Sequence, residues 1–151
     1  HYPLRRQRQM CIRDRHGWMV DRLVERLHAH PELGKRLFWL EGISDEYLEK
    51  VYAASTCLIA ASYGEGFGLP LIEAAQHKLP IIARDIPVFR EVAGTHAYYF
   101  SATAASDLAQ SLNNWLGLFR IDQHHKSDAM PWQSWKTSAA RLMGFVLNLN
   151  A

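Results

Sequence analysis

Cysteine is scarce in this chain: Cys11 and Cys57 are the whole complement among 151 residues. Two cysteines so far apart exclude a disulfide-built scaffold and a multi-cysteine zinc site. Cys57 sits in an apolar stretch and reads as a reduced, buried small hydrophobe. No apolar run approaches the ~20 residues that a membrane-spanning helix needs, and no charged-then-apolar leader opens the chain. The expectation is a cytoplasmic location, or a peripheral one at the inner membrane face for a longer protein. The eight histidines, His1, His16, His28, His30, His77, His96, His124 and His125, come without carboxylates at ligand spacing, so no metal is expected on them. His28, His30, His124 and His125 are expected to be exposed. Internal repeats are absent too.

What is present fits one globular domain by length, with 48% hydrophobic and 21% charged residues. The formal net charge of +2 is unevenly placed. Residues 1–15 hold Arg5, Arg6, Arg8, Arg13 and Arg15 against Asp14 alone. Subtracting these from the 17 basic and 15 acidic residues leaves 12 and 14, a net of −2 for the remainder. The first 15 residues show neither helical nor strand period and read as a non-native or disordered basic arm. The alternative, a nucleic-acid or lipid-surface patch, is the weaker reading, and no nucleic-acid partner is expected.

Beyond the arm, residues 16–151 alternate between two kinds of pattern. Helical spacing covers Trp18 to His28, a stretch after Ser44 through Leu48, Val51 and Tyr52, Leu69 to His77, Ser106 to Phe119, and Trp132 to Leu149. Short apolar runs at 37–40, 56–61, 79–83 and 97–100 read as strands, 87–92 as a short helix or turn, and 120–131 as a polar loop. Ser44 before Asp45-Glu46 is an N-cap with acids in the first turn. The alternation predicts an α/β fold, a Rossmann-like parallel sheet with helices on both faces. Ligands of such sheets bind beyond the carboxyl ends of the strands, where Gly42-Ile43-Ser44 and 64–69 are expected to converge.

The most informative stretch is Ser62-Tyr63-Gly64-Glu65-Gly66-Phe67-Gly68-Leu69-Pro70-Leu71-Ile72-Glu73. A strand runs into a glycine bend, and Pro70 suits the first helical turn that follows. Backbone N–H groups and the helix dipole then point at the bend, which makes it an anion site. Gly66 and Gly68 allow close ligand approach or positive φ. Amides for a diphosphate and carboxylates for hydroxyls together suit a nucleotide-sugar.

These residues, with Leu40-Glu41-Gly42-Ile43-Ser44-Asp45-Glu46-Tyr47-Leu48, Val51-Tyr52-Ala53-Ala54-Ser55 and 80–92, resemble the signature of the retaining GT-B glycosyltransferases of the mannosyltransferase and sucrose/glycogen-synthase type. The resemblance runs from about Trp18 to Phe100. It implies the C-terminal, nucleotide-sugar-binding half of a GT-B fold, the N-terminal acceptor domain being absent along with the arginine and lysine that usually meet the donor diphosphate. It further implies that Glu65 contacts donor sugar hydroxyls beside the reacting carbon, and that amides of Gly66, Phe67, Gly68 and Leu69 hold sugar and phosphate. Glu73 would take the ribose hydroxyls, and Gly42, Ile43 and Ser44 the nucleobase, with Tyr47 or Leu48 bordering it. No cofactor or metal is implied, since amides and basic side chains replace the cation. The implied partners are a nucleotide-sugar donor and, through the missing domain, a glycan or lipid-linked acceptor. The implied reaction moves a sugar, plausibly mannose, with retention, and this stretch alone would be inactive.

Plainer readings stand beside these. Glu73 can be a first-turn helix acid, Arg84 and Arg90 solvated residues of the 80–92 turn, and Trp132 and Trp135 core or inter-domain packing. For the whole, the alternatives are a non-catalytic nucleotide-sugar-binding module or a GT-B epimerase.

Overall fold

The computed structural model describes residues 10–13 and 21–148, which fall into two compact units, 1–51 and 52–151. In the first, strand β1 (Met10–Arg13) pairs in parallel with β2 (Leu37–Leu40), Met10 opposite Leu37 and Arg13 opposite Leu40. This strand corrects the reading of the first 15 residues as unpatterned. A parallel ladder is made by main-chain N–H and C=O groups, and four residues give side-chain alternation too little length to show. Helix α1 (Asp21–His28) buries no residue, and Leu23 is 53% exposed. Trp18, Met19 and Val20, expected in that helix, lie outside the described residues.

Helix α2 (Asp45–Ala54) starts as expected. The Tyr47 N–H meets both the carbonyl and the hydroxyl of Ser44, and Asp45 and Glu46 fill the first turn. A hydrogen bond from the Ser44 side chain holds the Glu46 carboxyl below the usual range.

The second unit is built on a three-stranded parallel sheet in the order β3 (Leu58–Ala60), β4 (Ile81–Arg84), β5 (Ala97–Phe100). Helix α3 (Leu69–Gln76) joins β3 to β4, and α4 (Pro87–Ala93) joins β4 to β5, so both links are crossovers of the βαβ kind. The central strand shows why the pattern reads as it does. Ile81, Ile82 and Ala83 are all fully buried, as a strand covered on both faces must be. Ile82 packs with Phe100, Ala102 and Trp115 of helix α5 (Ala105–Arg120). Ile81 and Ala83 alternate to the opposite face, and α3 lies against β3 and β4 with Leu71 and Ala74 fully buried. The fold class is therefore as expected, although β3 is shorter than the 56–61 run and only half-buried.

Segment 121–131 has no regular element, yet Ser127 and Met130 are buried, and the Ser127 hydroxyl donates to the Leu79 carbonyl at 2.8 Å. Helix α6 (Trp135–Asn148) carries exposed apolar residues instead, including Leu142, Phe145 and Leu147. Trp132 and Trp135, expected in packing, are 47% and 81% exposed.

Candidate functional site

The chain leaves β3 at Ala60, runs through Ser62 and Tyr63 into the glycine bend, and enters α3 at Leu69. Gly68 is the N-cap of α3 at φ 84°, ψ 40°, a left-handed conformation that favours glycine. A Cβ there would also lie 3.2 Å from the Phe89 ring, so α4 closes the space on that side. Gly66 has no such constraint. Its backbone faces open space, which leaves close approach as its use rather than positive φ.

The donors at the helix start are limited. Pro70 has no N–H, and that of Leu71 already binds the Gly68 carbonyl at 3.0 Å. No hydrogen bond among the described residues occupies the N–H groups of Gly66, Phe67, Gly68 or Leu69. Four consecutive amides thus stand at the positive end of an eight-residue helix, beside the carboxyl ends of the parallel strands. Phe67 and Leu69 have exposed side chains, at 57% and 45%. An anion of phosphate size meets the requirements of such a place.

Glu65 is exposed on the bend, and one of its carboxylate oxygens, Oε1, accepts from the Ser62 hydroxyl at 2.8 Å. Glu73 is half-buried and held differently. Its Oε2 accepts from the Tyr52 hydroxyl at 2.7 Å, and the Tyr52 ring stacks on His77 with centroids 5.2 Å apart. Glu73 is the fifth residue of α3 and so belongs to the second turn, which corrects its plainer reading as a first-turn acid.

Gly42, Ile43 and Ser44 belong to the first unit. Gly42 sits at φ 60° with open space where a side chain would stand, Ile43 is half-buried, and Ser44 caps α2. Glu65, Gly66, Phe67, Gly68, Leu69 and Glu73 all lie together around the bend and α3 in the second unit.

Arg84 departs from the solvated reading, whereas Arg90 stays exposed as expected. Arg84, the last residue of β4, donates from Nε to the Ala61 carbonyl at 3.0 Å and from Nη1 to the Ala102 carbonyl at 2.6 Å. Its guanidinium lies 3.9 Å from the Tyr63 ring centroid. Arg90 forms a two-pronged pair with Asp85 at 2.7 and 2.8 Å and stacks on Tyr99, holding the Asp85 carboxyl below its usual range. Polar side chains near apolar runs therefore find carbonyls and rings that only the fold brings near.

Tyr52 and Ser62, the partners of the two glutamates, are not among the site residues that the sequence pattern points to. The one available signal for Tyr52 was a hydroxyl carried at a core-facing position of a helix, since such a group needs a partner when buried. His124 departs from its exposed reading, packing half-buried against Trp115 and Phe119. Among the described residues, no three His, Cys, Asp or Glu side chains cluster as metal ligands would. Cys57 is half-buried beside the core, and burial pushes its thiol up to about 11.

Comparison with known proteins agrees with this architecture. The chain is 56% identical over 134 residues to the serotype-specific mannosyltransferase WbdA of Escherichia coli, covering 89% of this chain and 16% of that one. It is 30% identical over 105 residues to the O-antigen chain mannosyltransferase RfbU of Salmonella typhimurium, covering 70% of this chain and 29% of that one. It therefore spans about a sixth of the length of WbdA.

Among solved structures, sucrose-phosphate synthase from Thermosynechococcus elongatus matches with a TM-score of 0.65 and 23% identity over 85% of this chain and 34% of its own. A glycosyltransferase from Rickettsia africae matches at 0.59 and 22%, over 76% of this chain and 31% of its own. These structures share the fold, the GT-B arrangement of Rossmann-like parallel sheet and helices. The family model for glycosyl transferases group 1 matches residues 9–123, a span that starts before Trp18 and ends beyond Phe100. The chain belongs to the glycosyl transferases group 1 family.

Proposed function

We propose that the glycine bend and α3 bind a nucleotide-sugar donor, and that the whole protein transfers its sugar, mannose, to a glycan or lipid-linked acceptor with retention of anomeric configuration. The observation that carries the reading is the run of four amides, 66–69, unoccupied among the described residues and flanked by two carboxylates held in different ways. The names of the 56%-identical and 30%-identical relatives support the choice of mannose.

In this reading the amides of Gly66, Phe67, Gly68 and Leu69 receive sugar and phosphate oxygens. Glu65 accepts from sugar hydroxyls beside the reacting carbon, and Glu73 from the ribose. Gly42, Ile43 and Ser44 offer main-chain atoms to the base. The diphosphate gains negative charge as the glycosidic bond breaks, so oriented amides and the α3 dipole stabilise the transition state more than the bound donor. No metal is required for that step. The acceptor hydroxyl attacks from the face the leaving group departs from, which retains configuration without a covalent enzyme intermediate. The reaction belongs on the cytoplasmic side of the inner membrane, where the protein is soluble or peripheral.

The experiment uses the full-length protein that contains this chain. Nucleotide-linked mannose should bind by calorimetry and be consumed with acceptor present, chelator should leave the rate unchanged, and NMR of the product should show the donor's anomeric configuration. Binding without turnover would favour a non-catalytic module, and inversion would overturn the mechanism.

A further inference from the structure

We infer that Arg84 is a positioning residue for Glu65, an inference that rests on the proposed role of Glu65 at the donor sugar. Its guanidinium reaches the loops at the carboxyl ends of all three strands of the second sheet. Arg84 itself ends β4, its Nε binds the carbonyl of Ala61 just after β3, and its Nη1 binds that of Ala102 just after β5. The same cation lies over the rings of Tyr63 and Phe100, at 3.9 and 5.2 Å.

The consequence is local. Arg84 grips the chain at Ala61 through its carbonyl and at Tyr63 through its ring, one residue either side of Ser62. Ser62 is the residue whose hydroxyl holds Glu65 Oε1 at 2.8 Å. The path from sheet to carboxylate is therefore Arg84, the pair Ala61 and Tyr63, Ser62, then Glu65. The bend needs such a support because Tyr63, Gly64, Glu65, Gly66 and Phe67 are all exposed and contribute little packing of their own.

Arginine is the side chain the task requires. Its planar fork directs two donors at two carbonyls while its face stacks on a ring, whereas the ammonium of lysine is a point charge that cannot do both. Arg84→Lys thus keeps the charge and removes the geometry, which separates positioning from simple attraction of an anionic donor.

The test is steady-state kinetics of the full-length protein with nucleotide-linked mannose and its acceptor, on Arg84→Lys, Ser62→Ala, the double variant and Glu65→Gln. Arg84→Lys should lower kcat by about 10- to 100-fold, the scale of a misplaced reacting group, with donor KM nearly unchanged. The double variant should lose little more than Arg84→Lys alone, because both changes cut one path. Wild-type kcat in Arg84→Lys, a defect confined to KM, or losses that multiply in the double variant would each overturn the inference. If Arg84→Lys does not fold, Tyr63→Leu carries the same test, since that ring is 77% exposed and outside the core. Lowered kcat in Tyr63→Leu supports the path, and wild-type kcat refutes it. A loss in Glu65→Gln with none in Arg84→Lys removes this inference alone. An unaffected Glu65→Gln removes the proposed role of Glu65, and this inference with it.

Discussion

Glu65 and Glu73 are the same side chain on either side of one bend, yet they are held in opposite ways. Glu65 stands exposed on a loop, fixed by a serine three residues away. Glu73 stands half-buried on the second turn of a helix whose inner face includes the fully buried Leu71 and Ala74, and it is fixed by a tyrosine 21 residues away. A carboxylate presented on an open bend can meet the exposed, reacting end of a ligand. One locked into the framework suits a group that stays still. The contrast supports the proposed roles, a reacting sugar at Glu65 and an unchanging ribose at Glu73.

That division can be broken by measurement. The largest effect belongs to Glu65→Gln, which should lower kcat of the full-length protein by on the order of 10²–10³, as deletion of one preorganised transition-state contact does. Next comes Glu73→Gln. Loss of charge-assisted hydrogen bonds, at about 1.5–3 kcal/mol, should raise donor KM by roughly 10- to 100-fold with kcat little changed. Similar effects of both substitutions on both constants would mean that the two carboxylates share one role.

The framework side of the comparison makes smaller predictions. Gly68→Ala places a Cβ at φ 84° and 3.2 Å from Phe89. It should lower stability by about 1–2 kcal/mol from left-handed strain, read as a shifted denaturation midpoint. An unchanged midpoint would show that the bend relaxes freely. Tyr52→Phe is expected to cost the least, about 0.5–1.5 kcal/mol in stability, with a modest rise in donor KM. If binding and stability both stay at wild-type values, Glu73 needs no partner and the contrast with Glu65 loses its physical basis.

How far the sequence reveals this arrangement depends on the range of each interaction. Strand 97–100, the α2 start at Ser44 and the span of α3 are set by neighbours within one turn or one pleat, and they lie where spacing and capping place them. The glycines could be read because their conformation is local, and Gly68 does adopt positive φ. Arg84 could not. Its partners, Ala61 and Ala102, are 23 and 18 residues away, and they are backbone carbonyls with no residue type to signal them. Tyr52 is legible as a core position of a helix, while the destination of its hydroxyl, Glu73, lies 21 residues further along the chain. β1 eluded the pattern because a parallel pair is recognised by its neighbour, and the pairing residues at 37–40 lie beyond any local window.

The buried hydroxyl of Ser127 sets an order of events in the nascent chain. Leu79 is synthesised 48 residues ahead of it, so the carbonyl that Ser127 will occupy must first be served by water. Closing so long a loop for a single bond is unfavourable until β4 and α5 have formed the surface on which Ser127 and Met130 settle. The segment after α5 is thus sealed late, after the sheet whose approach to β4 it covers.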